Sequence, residues 1–131
     1  MWDHPFQWGS KRIGPDLARV GGKYPSLWHF RHMYDPRVVT PNSIMPEYTW
    51  LFSDKTDFAI LRKKFEVMKT LGVPYSDSAV ASAELDAKAE AKIIADELAA
   101  AGGVPAGIED KQIVALIAYL QRLGRNPGVK P

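Results

Sequence analysis

The sequence predicts an all-α protein, and three observations carry that expectation. Phe58, Leu61, Phe65 and Met68 recur at i, i+3, i+7 and i+10, the spacing of one helical face. Residues 77–101 form an alanine-rich run, and alanine is the strongest helix former. No stretch alternates apolar and polar side chains long enough for a strand. Taken in order, residues 1–25 read as irregular chain, because Pro5, Gly9, Gly14, Pro15, Gly21, Gly22 and Pro25 interrupt every few positions. Gly21-Gly22 reads as no more than a turn signal. Ser26 is placed to cap a short helix over 27–34, which Asp35-Pro36 closes. A second loop, 36–53, holds Pro36, Pro41 and Pro46 among Val38, Ile44, Met45, Tyr48, Trp50, Leu51 and Phe52. Thr56 is the expected N-cap of the next helix, and Gly72 and Pro74 stop it. Ser76 or Asp77 starts the alanine-rich helix, whose thin stripe is Val80, Ala83, Ala87, Ile94 and Leu98. The last helix is expected over 109–123, with Asp110 in its first turn. Its buried stripe reads Ile113, Leu116, Ile117, Leu120 and Leu123, and Gly124 ends it.

The length of 131 residues suits one domain. An apolar fraction of 46% with 24% charged residues fits a globular chain rather than a disordered one. The chain has no cysteine, which excludes within it a disulfide, a thiolate metal site, a cysteine nucleophile and covalent haem attachment. No apolar run approaches the ~20 residues that span a bilayer. A net charge of +2 is too small to indicate a nucleic-acid partner. Its distribution is uneven: six basic against three acidic side chains over 1–40, and six acidic against two basic over 76–101. Either a solvated acidic helix opposes a basic loop region, or the lobes form a docking face for a charged partner.

Few residues offer chemistry. His29 and His32 sit at i, i+3, and only His4 could join them in a zinc site that needs three or four ligands. The plainer reading is three histidines at the surface or behind a site. There is no H-E-x-x-H, G-x-S-x-G or P-loop, so no hydrolase or transferase reading has residues behind it, and the chain is not expected to be catalytic alone. Met45 differs from Met33 and Met68, which lie at helical spacing and read as core. It precedes Pro46, which confines it to extended conformations. Its thioether is a soft donor suited to haem iron, or else a packed apolar side chain. Two long apolar loops need an object to wrap, and a large flat cofactor would serve.

Several motifs resemble class I cytochrome c. Gly14-Pro15-Asp16-Leu17 is similar to the Gly-Pro-x-Leu turn beside the proximal haem ligand. Met45-Pro46 resembles the loop supplying the distal methionine, and residues 113–123 (IVALIAYLQRL) resemble the C-terminal helix. Residues 2–51 are more specifically similar to the mono-haem subunit II of cbb3-type cytochrome c oxidases. The motifs in order are Asp3-His4-Pro5-Phe6, Trp8-Gly9-Ser10-Lys11-Arg12, residues 14–22, Trp28-His29 with His32, Pro36-Arg37, and Met45 with Tyr48; Leu71-Gly72-Val73-Pro74-Tyr75 also fits.

The resemblance implies an all-α, cytochrome c-like but incomplete domain with an additional alanine-rich helix. It divides into haem-pocket loops with a short helix (1–53), a helical insertion (54–107) and the C-terminal helix (108–124). It implies electron transfer on the periplasmic face of a bacterial inner membrane, toward the haem-copper catalytic subunit, beside a di-haem cytochrome c subunit. Met45 would be the distal iron ligand. The Pro15 carbonyl would orient the proximal histidine, Arg12, Arg19 and Arg37 would pair with propionates, and Trp28 would belong to the cofactor wall. The family's Cys-x-x-Cys-His and membrane anchor precede the Trp-Asp-His-Pro segment. This cysteine-free chain is therefore expected to be a C-terminal part of the subunit, without covalent haem. The last helix, deprived of the crossing N-terminal helix, is expected to self-associate or to repack on 56–101. The alternative is a cofactor-free helical module binding a protein partner through its aromatic loops.

Overall fold

The computed structural model describes residues 17–125. Among the described residues six α-helices follow a 3-10 turn at Leu17–Arg19: α1 (Ser26–Tyr34), α2 (Pro36–Val39), α3 (Trp50–Ser53), α4 (Leu61–Thr70), α5 (Asp77–Ala100) and α6 (Gln112–Arg122). Among the described residues the only extended pairing is a single antiparallel bridge between Lys55 and Lys111. The second loop is less irregular than expected, since α2 and α3 each wind one turn within it. Asp35 explains α2: its side chain accepts from the Arg37 amide, and Pro36 supplies the fixed φ of a first helical residue.

The core lies where α5 and α6 meet. Ala91, Ile94, Ala95 and Leu98 of α5 close on Ile108, Ile113, Val114 and Ile117, with Phe30, Met33, Leu51, Phe52 and Phe58 packed around them. The alanines let the two helices approach closely, and Ala91 and Ala95 belong to the buried face that the sequence stripe omitted. The α6 stripe is covered from within by α5, α1 and α3, a wider set than the expected 56–101. Ile113, Ile117 and Leu120 are buried as expected, Val114 joins them, and Leu116 and Leu123 are half-buried. Each fully buried aliphatic contributes roughly 1.5–3 kcal/mol. Arg122 adds a two-pronged pair to Glu90 of α5 at 2.9 and 2.8 Å.

Three helix starts differ from the sequence expectation. Ser26 is not a cap; Pro25 holds that position, and the Ser26 hydroxyl donates to the Glu97 carboxylate at 3.0 Å. Thr56 does not cap either. Its amide donates to the Asp110 carbonyl at 2.7 Å, as the Gln112 amide does to the Asp54 carbonyl at 3.0 Å. These bonds flank the Lys55–Lys111 bridge and hold 54–56 extended. Asp57 then turns the chain by accepting from the Ala59 amide at 3.0 Å, and α4 begins only at Leu61. The same clamp keeps Asp110 ahead of α6 rather than in its first turn. Its carboxylate pairs with Lys55 at 2.7 Å, and that hydrogen bond holds it below the usual carboxylate range. Ser76 does cap α5, accepting from the Ala79 amide at 3.2 Å. Met33 packs on the core, but Met68, although on the same face as Leu61 and Phe65, is exposed.

Gly21-Gly22 proves more than a turn. The Gly21 amide donates to the Leu123 carbonyl at 2.9 Å, and a Cβ on Gly21 would stand 2.5 Å from the Gln121 carbonyl oxygen. Gln121 completes the junction: its side-chain oxygen accepts from the Gly22 amide at 2.8 Å, and its Nε2 donates to the Tyr24 carbonyl at 2.9 Å. The chain entering α1 is thereby fastened to the end of α6.

Candidate functional site

The residues with unused chemistry gather around α1. Trp28 and His32 lie four positions apart on α1, so their rings fall on one side of the helix, and Tyr24, two residues ahead of α1, joins them. Tyr24 and Trp28 stack with centroids 4.2 Å apart, and Trp28 and His32 at 4.6 Å. The His29 ring stands perpendicular to Trp28 with centroids 5.3 Å apart, and His29 is 2% exposed. Neither His29 Nε2 nor His32 Nδ1 has a hydrogen-bond partner among the described residues. Burial lowers both imidazole pKa values, and the neighbouring His32 charge lowers that of His29 further. Both rings are therefore neutral near pH 7. The opposite side of α1 lines a separate apolar cleft of about 510 Å³, with Phe30, Tyr34, Phe52 and Ile113 in its wall.

Met45 follows on a loop braced at several points. The Ser43 amide donates to the Thr40 carbonyl at 2.9 Å, and the Met45 amide donates to the Ser43 hydroxyl at 3.2 Å. The Arg37 guanidinium pairs with Asp35 at 3.1 Å and also with Glu47, two residues past Met45. The Tyr48 amide donates to the Met33 carbonyl at 3.0 Å, fixing the loop to the end of α1. Met45 is half-buried, while Ile44 beside it is 90% exposed. The loop thus turns its thioether residue inward and leaves the neighbouring aliphatic in water.

The structure therefore joins Trp28 and the Met45 loop to one helix, and it places Arg37 in ion pairs that hold that loop. Arg19 is exposed at the end of the 3-10 turn. Pro15, Arg12 and His4 lie outside the described residues. Among the described residues no three His, Cys, Asp or Glu side chains gather into a metal site. Sequence reasoning missed Glu47, Gln121 and the ring stack. The four-residue spacing of Trp28 and His32 was a usable signal for part of the stack; the long-range partners of Gln121 left none.

The donors suit a haem better than a bare ion. A haem takes one or two soft or imidazole ligands and otherwise wants aromatic, dry surroundings. The orphaned His29 nitrogen shows a polar atom held in such surroundings, and the Met45 loop supplies a thioether. The family profile of the cytochrome c oxidase mono-heme subunit, FixO, matches residues 1–126. The chain belongs to this family. A comparison with curated proteins returned no match. The mono-haem subunit family is an electron-transfer, haem-binding component of cbb3-type oxidases, and the all-α architecture agrees with its cytochrome c-like fold. The chain contains no cysteine, so covalent attachment has no anchor within these residues. No helix among the described residues is long and apolar enough to cross a membrane.

Proposed function

We propose that this chain supplies the distal-ligand half of a haem c electron-transfer site in a cbb3-type oxidase. Its haem-pocket loops would be 1–53, its helical insertion 54–107 and its C-terminal helix 108–124. The observation that carries this reading is the bracing of the Met45 loop by Ser43, by Arg37 through Glu47, and by the Tyr48–Met33 hydrogen bond. A ligand must be held in place in both oxidation states, and those contacts limit how far the loop can move. The haem would supply reversible one-electron chemistry. Met45 would offer its sulfur to the iron. Trp28, stacked between Tyr24 and His32, would exclude water from one wall, and Arg12 and Arg19 would balance propionate charge, while Arg37, already paired with Asp35 and Glu47, would serve by holding the loop. The Pro15 carbonyl would orient the proximal histidine. Neutral His29 and His32 add no positive charge to the site near pH 7.

The location would be the periplasmic face of a bacterial inner membrane, beside a di-haem cytochrome c subunit and the haem-copper catalytic subunit that receives the electrons. The test is spectroelectrochemistry of the assembled oxidase. Met45→His should keep the haem bound and lower the potential of the mono-haem centre by on the order of 100 mV, because a thioether ligand raises the potential relative to imidazole. An unchanged potential and ferric spectrum would remove Met45 from the site.

A further inference from the structure

Helix α4 meets α5 with one side only. Leu61 and Phe65 are half-buried toward α5, and Phe65 stacks on Tyr75 at 4.5 Å. No α4 residue is fully buried. At 3.6 residues per turn, Ile60, Val67 and Leu71 fall in a second stripe turned away from that contact. They are 41%, 51% and 74% exposed. Residues 60–71 also carry four cations and one carboxylate, and these charges are segregated. Arg62 pairs with Glu66, and Lys69 with Asp77, on the flank that borders the groove between α4 and α5. Lys63 and Lys64 border the apolar stripe, one on each side, and ion-pair with nothing among the described residues.

We infer that this face of α4 docks on an anionic lipid surface. An interfacial helix lies in the membrane plane with aliphatic side chains in the headgroup boundary and lysines reaching out to phosphates on either side. The Lys63 and Lys64 ammonium groups flank Ile60, Val67 and Leu71 in that arrangement, and the Glu66 and Asp77 carboxylates are already paired on the other flank. The surface chemistry it fits is phosphate-bearing headgroups over an apolar layer. The inference rests on the proposed function only for the nearness of a membrane. Docking here would set the height and tilt of the cytochrome domain above the bilayer.

The absence of cysteine permits a single label on the full chain. Val67→Cys carrying a polarity-sensitive fluorophore should shift to the blue on vesicles of phosphatidylcholine with phosphatidylglycerol, and much less on phosphatidylcholine alone. The same label at Ala81→Cys, on the other flank, should not shift. Lys63→Gln with Lys64→Gln alters two exposed side chains and should weaken binding about fivefold per lysine, the equivalent of about 1 kcal/mol each. No shift at residue 67 on anionic vesicles, equal binding to neutral ones, or no effect of the lysine substitutions overturns the inference. So does lysine-dependent binding to another oxidase subunit by a chain that ignores vesicles. Each of these failures leaves the haem reading intact, because that reading is scored on a potential and a spectrum.

Discussion

His29 is a buried base kept neutral by its neighbours. Desolvation is the larger cause of its lowered pKa, and repulsion from His32 adds to it. The unfolded chain takes up this proton near the ordinary histidine value of about 6.5, while the folded chain resists it to lower pH. Between those values the unfolded state binds more protons, so stability is full above the ordinary value and falls as pH drops toward the folded one. Urea midpoints should therefore decrease from about pH 7.5 to about pH 5.5, and His29→Phe should flatten that slope. An equal slope in the variant would place the titrating group elsewhere. Gly21 is constrained by space rather than by charge. A single methyl there would meet two carbonyl oxygens, at 2.5 and 2.6 Å, so the position is set by how closely the backbone at the end of α6 approaches.

At the scale of elements, the helices differ in what makes them stand. α5 runs 24 residues on alanine propensity with only a thin buried stripe, so its ends matter. Ser76 is its cap, and Ser76→Ala should cost about 0.5–2 kcal/mol, read as a lower thermal midpoint by circular dichroism. No loss would mean that Asp77 or Ser78 takes over the orphan amide. α1 shows the opposite case. Its first turn has no side-chain cap, and Ser26 instead spends its hydroxyl on Glu97, seventy-one residues away. Cap residues are legible in sequence because they act locally. Ser26 and Thr56 misled because distant chain claimed the first hydroxyl and the second residue's amide. The exposed pair Arg122–Glu90 joins two elements but contributes only roughly 0.2–1 kcal/mol in water.

At the scale of the molecule, α6 is the hub on which α5, α1 and α3 converge. Ile117 is fully buried there. Ile117→Ala should destabilise the fold by about 2–5 kcal/mol, the lost transfer energy plus the cavity left behind. Denaturant titration would show it as a lower midpoint with an unchanged slope, and a loss below about 1 kcal/mol would mean that the core collapses around the gap.

The helical class, the extents of α5 and most of α6, the stiffness at Met45-Pro46, and the motifs that place the chain in the mono-haem subunit family are all legible in the order of residues. Helical period, proline and glycine act within a few residues, so they can be read along the chain. It took the folded chain to reveal that Arg37 and Glu47 brace the methionine loop, that Gly21 is a packing contact, that α6 finds its cover in α1 and α3 as well as α5, and that α4 keeps a basic apolar face in solvent. Those outcomes depend on which distant group reaches a given polar atom or apolar side chain first. That competition is settled by chain closure in three dimensions and leaves no period in the sequence.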